Sequence, residues 1–432
     1  MKSPTLALYR ATTRLLTPLA RQALVVRGRR GKEDRARIGE RLGQASLDRP
    51  DGKLVWLHGA SIGEGLVLLP LAVRLVERGF SALVTTGTKS SAAVVGARLP
   101  AGAFHQYIPL DAPRFVKRFL DHWRPDLAIF AESELWPNLL DETHARGAPV
   151  VLVNARMSPR SYLRWRNVPK AAHALLEKIE VAFAQSNDDA ARLLRLGAPR
   201  VQIAGNLKYD VAAPPASPET VAEFSSQIGA RPVWVAASTH DGEEDICFDV
   251  HLQLMKKHPA LVTIVAPRDP QRGDEIVEAA KTKGLRVARR SARQRIDRTT
   301  QIYLADTFGE MGLWYRLAGI AFMGKSLPDK TRLRGGHNPI EAARLGASVL
   351  HGPSVDNFQD AYVALDGAGA SAAVADGREL SARLDDLFSN VAKARAMARA
   401  GVATIEELCG ATDRVMQGIE PYLVHIAMEG AR

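Results

Sequence analysis

The feature that most constrains this chain is an alternation of strand-like and helix-like patterns that runs through it twice. Between Lys53 and about Asp210 the apolar runs LVWLH (Leu54–His58), ALVTT (Ala82–Thr86), LAIFAE (Leu127–Glu132), VVLVN (Val150–Asn154) and VAFAQS (Val181–Ser186) are separated by amphipathic stretches such as LVLLPLAVRLVERG. Short unbroken apolar runs read as parallel strands buried on both faces, and strand–helix alternation implies a doubly wound sheet. The segment Val211–Pro218 (VAAPPASP) has no periodicity and reads as a linker. Beyond it the alternation restarts with VWVAAS (Val233–Ser238), LVTIVAP (Leu261–Pro267), QIYLAD (Gln301–Asp306), GIAFMG (Gly319–Gly324) and SVLHGP (Ser348–Pro353), followed by helical sequence. At 432 residues the chain is too long for one ordinary core. The expectation is an α/β protein of two Rossmann-like doubly wound domains facing across a cleft, with a ligand outside the strands' carboxyl ends. The predicted boundaries are an arm over 1–45, a first domain over 46–212, a linker over 213–230, a second domain over 231–410 and a C-terminal helix over 411–432.

Charge is concentrated at the beginning. The first 41 residues carry eleven Lys and Arg against Glu33, Asp34 and Glu40, so they hold +8 of the formal net charge of +11. The remainder is close to neutral, which argues against a nucleic-acid groove running over the protein. On a helical wheel Arg10, Arg14, Thr17 and Arg21 share one arc, and Leu8, Leu15, Leu19 and Val26 lie opposite. No apolar run approaches the roughly 20 residues needed to span a bilayer, and the charges argue against a cleaved signal peptide. An amphipathic helix lying on an anionic membrane surface fits, and so does a helix docked on the protein's own surface. Pro18 is expected to kink or split it. Cys247 and Cys409 are far apart and without metal-ligand spacing, which points to a reducing compartment.

Several motifs sit where strands give way to helices. HGASIGEG (His58–Gly65) brings Glu64 to a helix start, where the dipole favours the ionised form. It could serve as a general base or simply complement that dipole. AESELWPNLL (Ala131–Leu140) places Glu132 and Glu134 two residues apart before Trp136, able to tune a neighbouring proton or to act as helix-start acids. GNLKYD (Gly205–Asp210) holds Lys208, a candidate to offset phosphate charge or a solvated lysine. APRDP puts Arg268 straight after a buried strand, where a guanidinium can grip a phosphate. Thr307 and Glu310 in DTFGEMGLWY have capping-box spacing before a helix whose N–H groups could bind an anion. In GGHNPIEAARLG, Asn338 suits an N-cap, Pro339 the first helical position and Glu341 the third, where it can close a cap or accept from ribose hydroxyls. No D-x-D pattern occurs, so a divalent metal held that way is not indicated.

Taken together and in order, HGASIGEG, AESELWPNLL, NARMSPRS, GNLKYD, ASTHDGEE, APRDP, DTFGEMGLWY, GGHNPIEAA and HGPSVDNF resemble the Kdo transferase family (3-deoxy-D-manno-octulosonic acid transferase, lipid A-specific). The resemblance extends from the basic arm to near the C-terminus. It implies an inverting enzyme of GT-B architecture at the cytoplasmic face of the inner membrane, moving Kdo from CMP-Kdo to a lipid A precursor, lipid IVA, without a cofactor. It also implies roles: Glu64 as general base, Glu132 and Lys208 as transition-state stabilisers. CMP is expected on Pro267 and Arg268, on Phe308, Gly309 and Glu310, and on Asn338, Pro339, Ile340 and Glu341. The chain departs from the family pattern in the extra basic residues of GKSLPDKTRLRGGHN (Gly324–Asn338), where the family usually has a shorter connection. Its basic N-terminus stands where the family often has a more apolar anchor, which favours peripheral attachment. The competing readings are a UDP-sugar transferase or a sugar-nucleotide epimerase of the same architecture, and a non-enzymatic protein that binds a membrane surface.

Overall fold

The computed structural model describes residues 3–31, 33–327 and 335–429. The chain forms two compact units, one made of 1–211 with 408–432 and the other of 212–407. The first contains a seven-stranded parallel sheet: β1 (Leu54–His58), β2 (Ser81–Thr86), β3 (Ala103–Tyr107), β4 (Leu127–Ala131), β5 (Val150–Ala155), β6 (Val181–Ala184) and β7 (Val201–Ile203). Their order is β3-β2-β1-β4-β5-β6-β7. The chain winds outward from β1 through β3, then returns to the other side of β1 at β4. That reversal leaves a crevice at the carboxyl ends of β1 and β4.

Burial on both faces explains the unbroken apolar runs. Trp56 of β1 and Phe130 of β4 face one side, their rings 5.0 Å apart, and pack with Phe119 from the helix Pro113–Trp123. Val55 and Leu57 face the other side, against Leu68, Leu71 and Leu75 of the helix Ile62–Glu77. The C-terminal helix Ala411–Glu429 joins this second layer through Val415, Ile419 and Ile426. Asp210 fixes the returning chain by accepting hydrogen bonds from the backbone N–H groups of Gly410 and Thr412.

The segment expected as a separate arm over 1–45 is built into this unit. Its helix, Pro4–Arg29, runs unbroken through Pro18, so the expected split does not occur. Tyr9 donates to Asp111 (2.9 Å), Arg10 pairs with Asp141 and Glu142, and Asn138 donates to Thr13 (3.2 Å). Leu24 is buried, while Leu8, Leu15, Leu16 and Leu19 are each more than half exposed. Among the described residues no helix is long and apolar enough to cross a membrane.

The second unit repeats the pattern with β8 (Val233–Thr239), β9 (Val262–Pro267), β10 (Val287–Arg289), β11 (Ile302–Leu304), β12 (Ile320–Met323), β13 (Ser348–His351) and β14 (Ser371–Ala373). Its order, β10-β11-β9-β8-β12-β13-β14, sets the reversal between β8 and β12. The expected linker over 213–230 is folded into this unit. A helix, Pro218–Ile228, starts at the Ser217 cap and buries Phe224 edge-on against Trp314 at 5.3 Å. Pro214 is fixed as well, because Arg316 donates to its carbonyl (2.9 Å). The proline-rich stretch broke the helical pattern without freeing the chain.

Candidate active site

In the first unit the sequence-predicted groups converge on the β1–β4 reversal. Ser61 caps the helix Ile62–Glu77 and Glu64 completes a capping box. The Glu64 carboxylate accepts from the N–H of Ala60 (2.7 Å) and the hydroxyl of Ser61 (2.9 Å). Gly59 is what allows this: a Cβ there would stand 2.8 Å from the Glu64 backbone carbon. The helix start was expected to favour the ionised form of Glu64. Burial outweighs it, helped by the charges of Glu134 and Glu132, and pushes the carboxyl above its ordinary range despite the hydrogen bonds from Ser61 and Ala60.

Glu132 follows β4 with a left-handed backbone, φ 53°, unusual outside glycine. Its carboxylate meets the Lys208 ammonium at 3.0 Å, both largely shielded from solvent. Lys208 is delivered by a short 3₁₀ turn, Leu207–Tyr209, pinned where the Leu207 N–H donates to the side chain of Asn154 (2.9 Å). The two predicted stabilisers thus form one ion pair, and the Glu132 charge acts on Glu64.

One group here, His58, received no role from the sequence. Buried His58, at the end of β1, reaches Glu134 at 3.4 Å, and its other ring nitrogen contacts Thr85. Trp136 also donates to Glu134. Burial pushes the Glu134 carboxyl up, but the close approach of His58 and the hydrogen bond from Trp136 overcome it and hold it below the ordinary range. One carboxyl held below its ordinary range beside another held above it is a division of acid–base character set by environment. The pattern H-x₅-E, with a carboxylate pair later in the chain, is the signal that could have drawn attention to His58.

In the second unit Pro267 ends β9, and the exposed Arg268 is anchored by its N–H to the Thr239 carbonyl (2.9 Å). Phe308 is 78% exposed and Gly309 adopts φ 84°, so this turn presents an aromatic face and open backbone. The capping box expected between Thr307 and Glu310 is absent. The helix begins at Met311 with Glu310 itself as N-cap, and the Glu310 carboxylate is gripped by Arg290, which with Thr307 holds it below its ordinary range. At the GGHNP turn, Asn338 accepts from the Ile340 N–H (3.0 Å) as expected of a cap, although the helix proper starts at Ile340, one residue later than predicted. Glu341 follows in its first turn.

His240 and His337 face each other across the β8–β12 reversal, stacked within 6° with ring nitrogens 2.9 Å apart. Burial, the His240 ring and the Arg268 and Lys325 charges depress His337 to about 3. Buried Glu243 ties the same loops together by accepting from the N–H groups of His240, Lys325 and Ser326. The sequence offered His240 and Glu243 only as members of a motif. Residues 328–334, which hold the extra basic side chains expected of the Gly324–Asn338 loop, lie outside the described residues. Among the described residues no group of three or more His, Cys, Asp or Glu side chains could hold a metal ion.

Two parallel-sheet Rossmann-like units, each with polar groups gathered at its strand reversal, define a protein of the GT-B class. Comparison with known proteins narrows this. The model of the family described as 3-deoxy-D-manno-octulosonic-acid transferase (kdotransferase) matches residues 36–211. The 3-deoxy-D-manno-octulosonic acid transferase of Haemophilus influenzae is 33% identical over 408 residues, covering 90% of this chain and 92% of that protein. The Bordetella pertussis transferase of the same name is 35% identical over 383 residues, covering 85% and 87%. Among solved structures, the UDP-GlcNAc 2-epimerase from Neisseria meningitidis bound to UDP-GlcNAc matches with a TM-score of 0.57, covering 86% of this chain and all of that one. At 12% identity that likeness is one of fold. The chain belongs to the 3-deoxy-D-manno-octulosonic acid (Kdo) transferase family.

Proposed function

We propose that this chain is an inverting glycosyltransferase that moves Kdo from CMP-Kdo to a hydroxyl of a lipid A precursor, lipid IVA, in lipopolysaccharide core biosynthesis. The observation that carries the reading is the Glu64 carboxyl, held above its ordinary range beside the Glu132–Lys208 pair at a strand reversal. A carboxylate whose carboxyl is raised is a stronger base than a free one. Glu64 would take the proton of the acceptor hydroxyl as it attacks the anomeric carbon, while cytidine monophosphate leaves from the opposite face. Positive charge at Lys208 and Arg268 would stabilise the departing phosphate, and Glu132 would hold Lys208 in place. CMP would be gripped by Pro267 and Arg268, by Phe308–Glu310 and by Asn338–Glu341. The exposed leucines and arginines of the N-terminal helix support peripheral attachment to an anionic surface, which we assign to the cytoplasmic face of the inner membrane. Glu64→Gln tests the base: turnover should fall by roughly 10²–10⁴-fold with nucleotide affinity and melting temperature unchanged. Near-normal turnover would remove Glu64 from the mechanism.

A further inference from the structure

A large groove in the first unit is used by none of the chemistry above. It holds about 1790 Å³ and runs between the N-terminal helix, the segment 35–44 and the first turns of the helix Pro113–Trp123. That exceeds the ~300–1,000 Å³ usual for a small-molecule pocket. Eight arginine and lysine side chains line it, and no carboxylate does among the described residues. Some of these cations are occupied: Arg10 pairs with Asp141 and Glu142, Arg35 donates to the Gly28 carbonyl and Arg118 to that of Leu42. The side chains of Arg14, Arg21, Arg29 and Arg114 make no hydrogen bond or ion pair among the described residues. Surfaces ordinarily intersperse both signs, and facing walls of one sign repel each other unless an anion lies between them.

The rest of the lining narrows the ligand. Leu15, Pro18 and Val25 join the arginines in the groove, and Leu8, Leu16 and Leu19 continue the apolar surface outside it. A nucleotide or nucleic acid would have no use for that surface. An amphiphile with phosphate groups at its head and acyl chains behind it uses both. The helix that forms one wall of the groove is tied by hydrogen bonds to the segment that carries Glu134. Asp111, just past β3, accepts from Tyr9 of the N-terminal helix and from the N–H of Asn138 (3.1 Å). Asn138 in turn holds Thr13 and stands two residues beyond Trp136, which donates to Glu134.

We infer that this groove is the subsite for the phosphate groups of the lipid acceptor, with Arg14, Arg21 and Arg114 as its specificity-determining side chains. The inference rests on the acceptor reading given above. It makes the N-terminal helix a wall of the substrate site as well as a membrane contact.

The test uses the full chain with Arg14, Arg21 and Arg114 all replaced by Gln, beside a version with all three replaced by Lys. All three are exposed, so both variants should fold. In neutral detergent micelles the Gln variant should show KM for the phosphorylated acceptor raised about tenfold or more, as expected for lost charge-assisted hydrogen bonds, with kcat unchanged. KM for acceptor stripped of its phosphates should not move, and the Lys variant should stay within a few-fold of wild type. Binding to mixed phosphatidylcholine–phosphatidylglycerol vesicles should weaken only in part, because the exposed leucines and Arg27 and Arg29 of the same helix remain. An unchanged micellar KM would overturn the inference, and loss of vesicle binding alone would reassign the groove to bulk membrane headgroups. Direct binding of labelled phosphorylated acceptor in micelles separates this from the transferase reading. Binding by wild type but not by the Gln variant supports the groove even if no Kdo is transferred, and equal binding by both refutes it.

Discussion

Replacing Gly59 by alanine should damage the site without touching a single charged group. Gly59 lies between β1 and the helix that carries Glu64, and its N–H donates to the Thr85 carbonyl (3.1 Å). A Cβ at this position would lie 2.8 Å from both the carbonyl carbon and the Cβ of Glu64, and 3.0 Å from its carbonyl oxygen. Two of the three atoms are backbone, so no side-chain rotation relieves the contact. The helix start must retreat by about 0.6 Å to reach ordinary contact near 3.4 Å. Overpacking of this kind costs about 1–3 kcal/mol, and a shift approaching 1 Å at a reacting group costs on the order of 10²-fold in rate. We expect G59A to melt several degrees lower and to lose roughly 10²-fold in kcat/KM. The control is G96A, at the end of the helix Lys89–Gly96, where an added Cβ meets nothing within 4 Å. It should retain full activity and gain up to about 1 kcal/mol. Differential scanning calorimetry and steady-state transfer assays read both quantities. A G59A protein with wild-type melting and turnover would refute the claim that this glycine sets the position of Glu64.

Other consequences follow from the same geometry. Glu64 must be ionised to act as base, so with its carboxyl raised the acid limb of kcat/KM should lie above the ordinary carboxylate range. Glu134→Gln removes one of the charges that raise it and should move that limb to lower pH; a limb that stays in place would show that Glu134 does not act on Glu64. Arg268→Ala and Glu341→Ala should each weaken cytidine monophosphate binding with little change in melting temperature. If Glu341→Ala instead lowers stability and leaves affinity intact, that side chain is a helix cap. Gly418→Ala places a Cβ 2.3 Å from the buried Phe183 ring and should cost about 1–3 kcal/mol by loosening the C-terminal helix, read as a lower melting temperature.

What the sequence made legible follows burial. The ten strands read from apolar runs are the inner five of each sheet, covered on both faces and so written in unbroken Val, Leu, Ile and Ala. The four that escaped notice, β3, β7, β10 and β14, are the four edges. Runs such as VQI and SAA, three residues each, carry little apolar signal because one side of each strand has no neighbour to pack against. Glu64, Glu132 and Lys208 could be named from motifs, but the Glu132–Lys208 ion pair and the His58–Glu134 contact join residues more than 70 positions apart. Local pattern holds no information about such pairings. The same applies to both ends of the chain. Asp210 and Gly418 bind the C-terminal helix to the first unit through contacts that no periodicity predicts, and Tyr9 and Arg10 do so for the N-terminal helix.

The central claim is the transfer itself, and donor choice tests it most directly. Purified protein would be incubated with lipid IVA in detergent and either labelled CMP-Kdo or labelled UDP-GlcNAc, with products followed by chromatography. The account predicts label appearing in the lipid from CMP-Kdo, release of cytidine monophosphate in step with it, and no consumption of UDP-GlcNAc. Conversion of UDP-GlcNAc without any lipid product, and no transfer from CMP-Kdo, would contradict it.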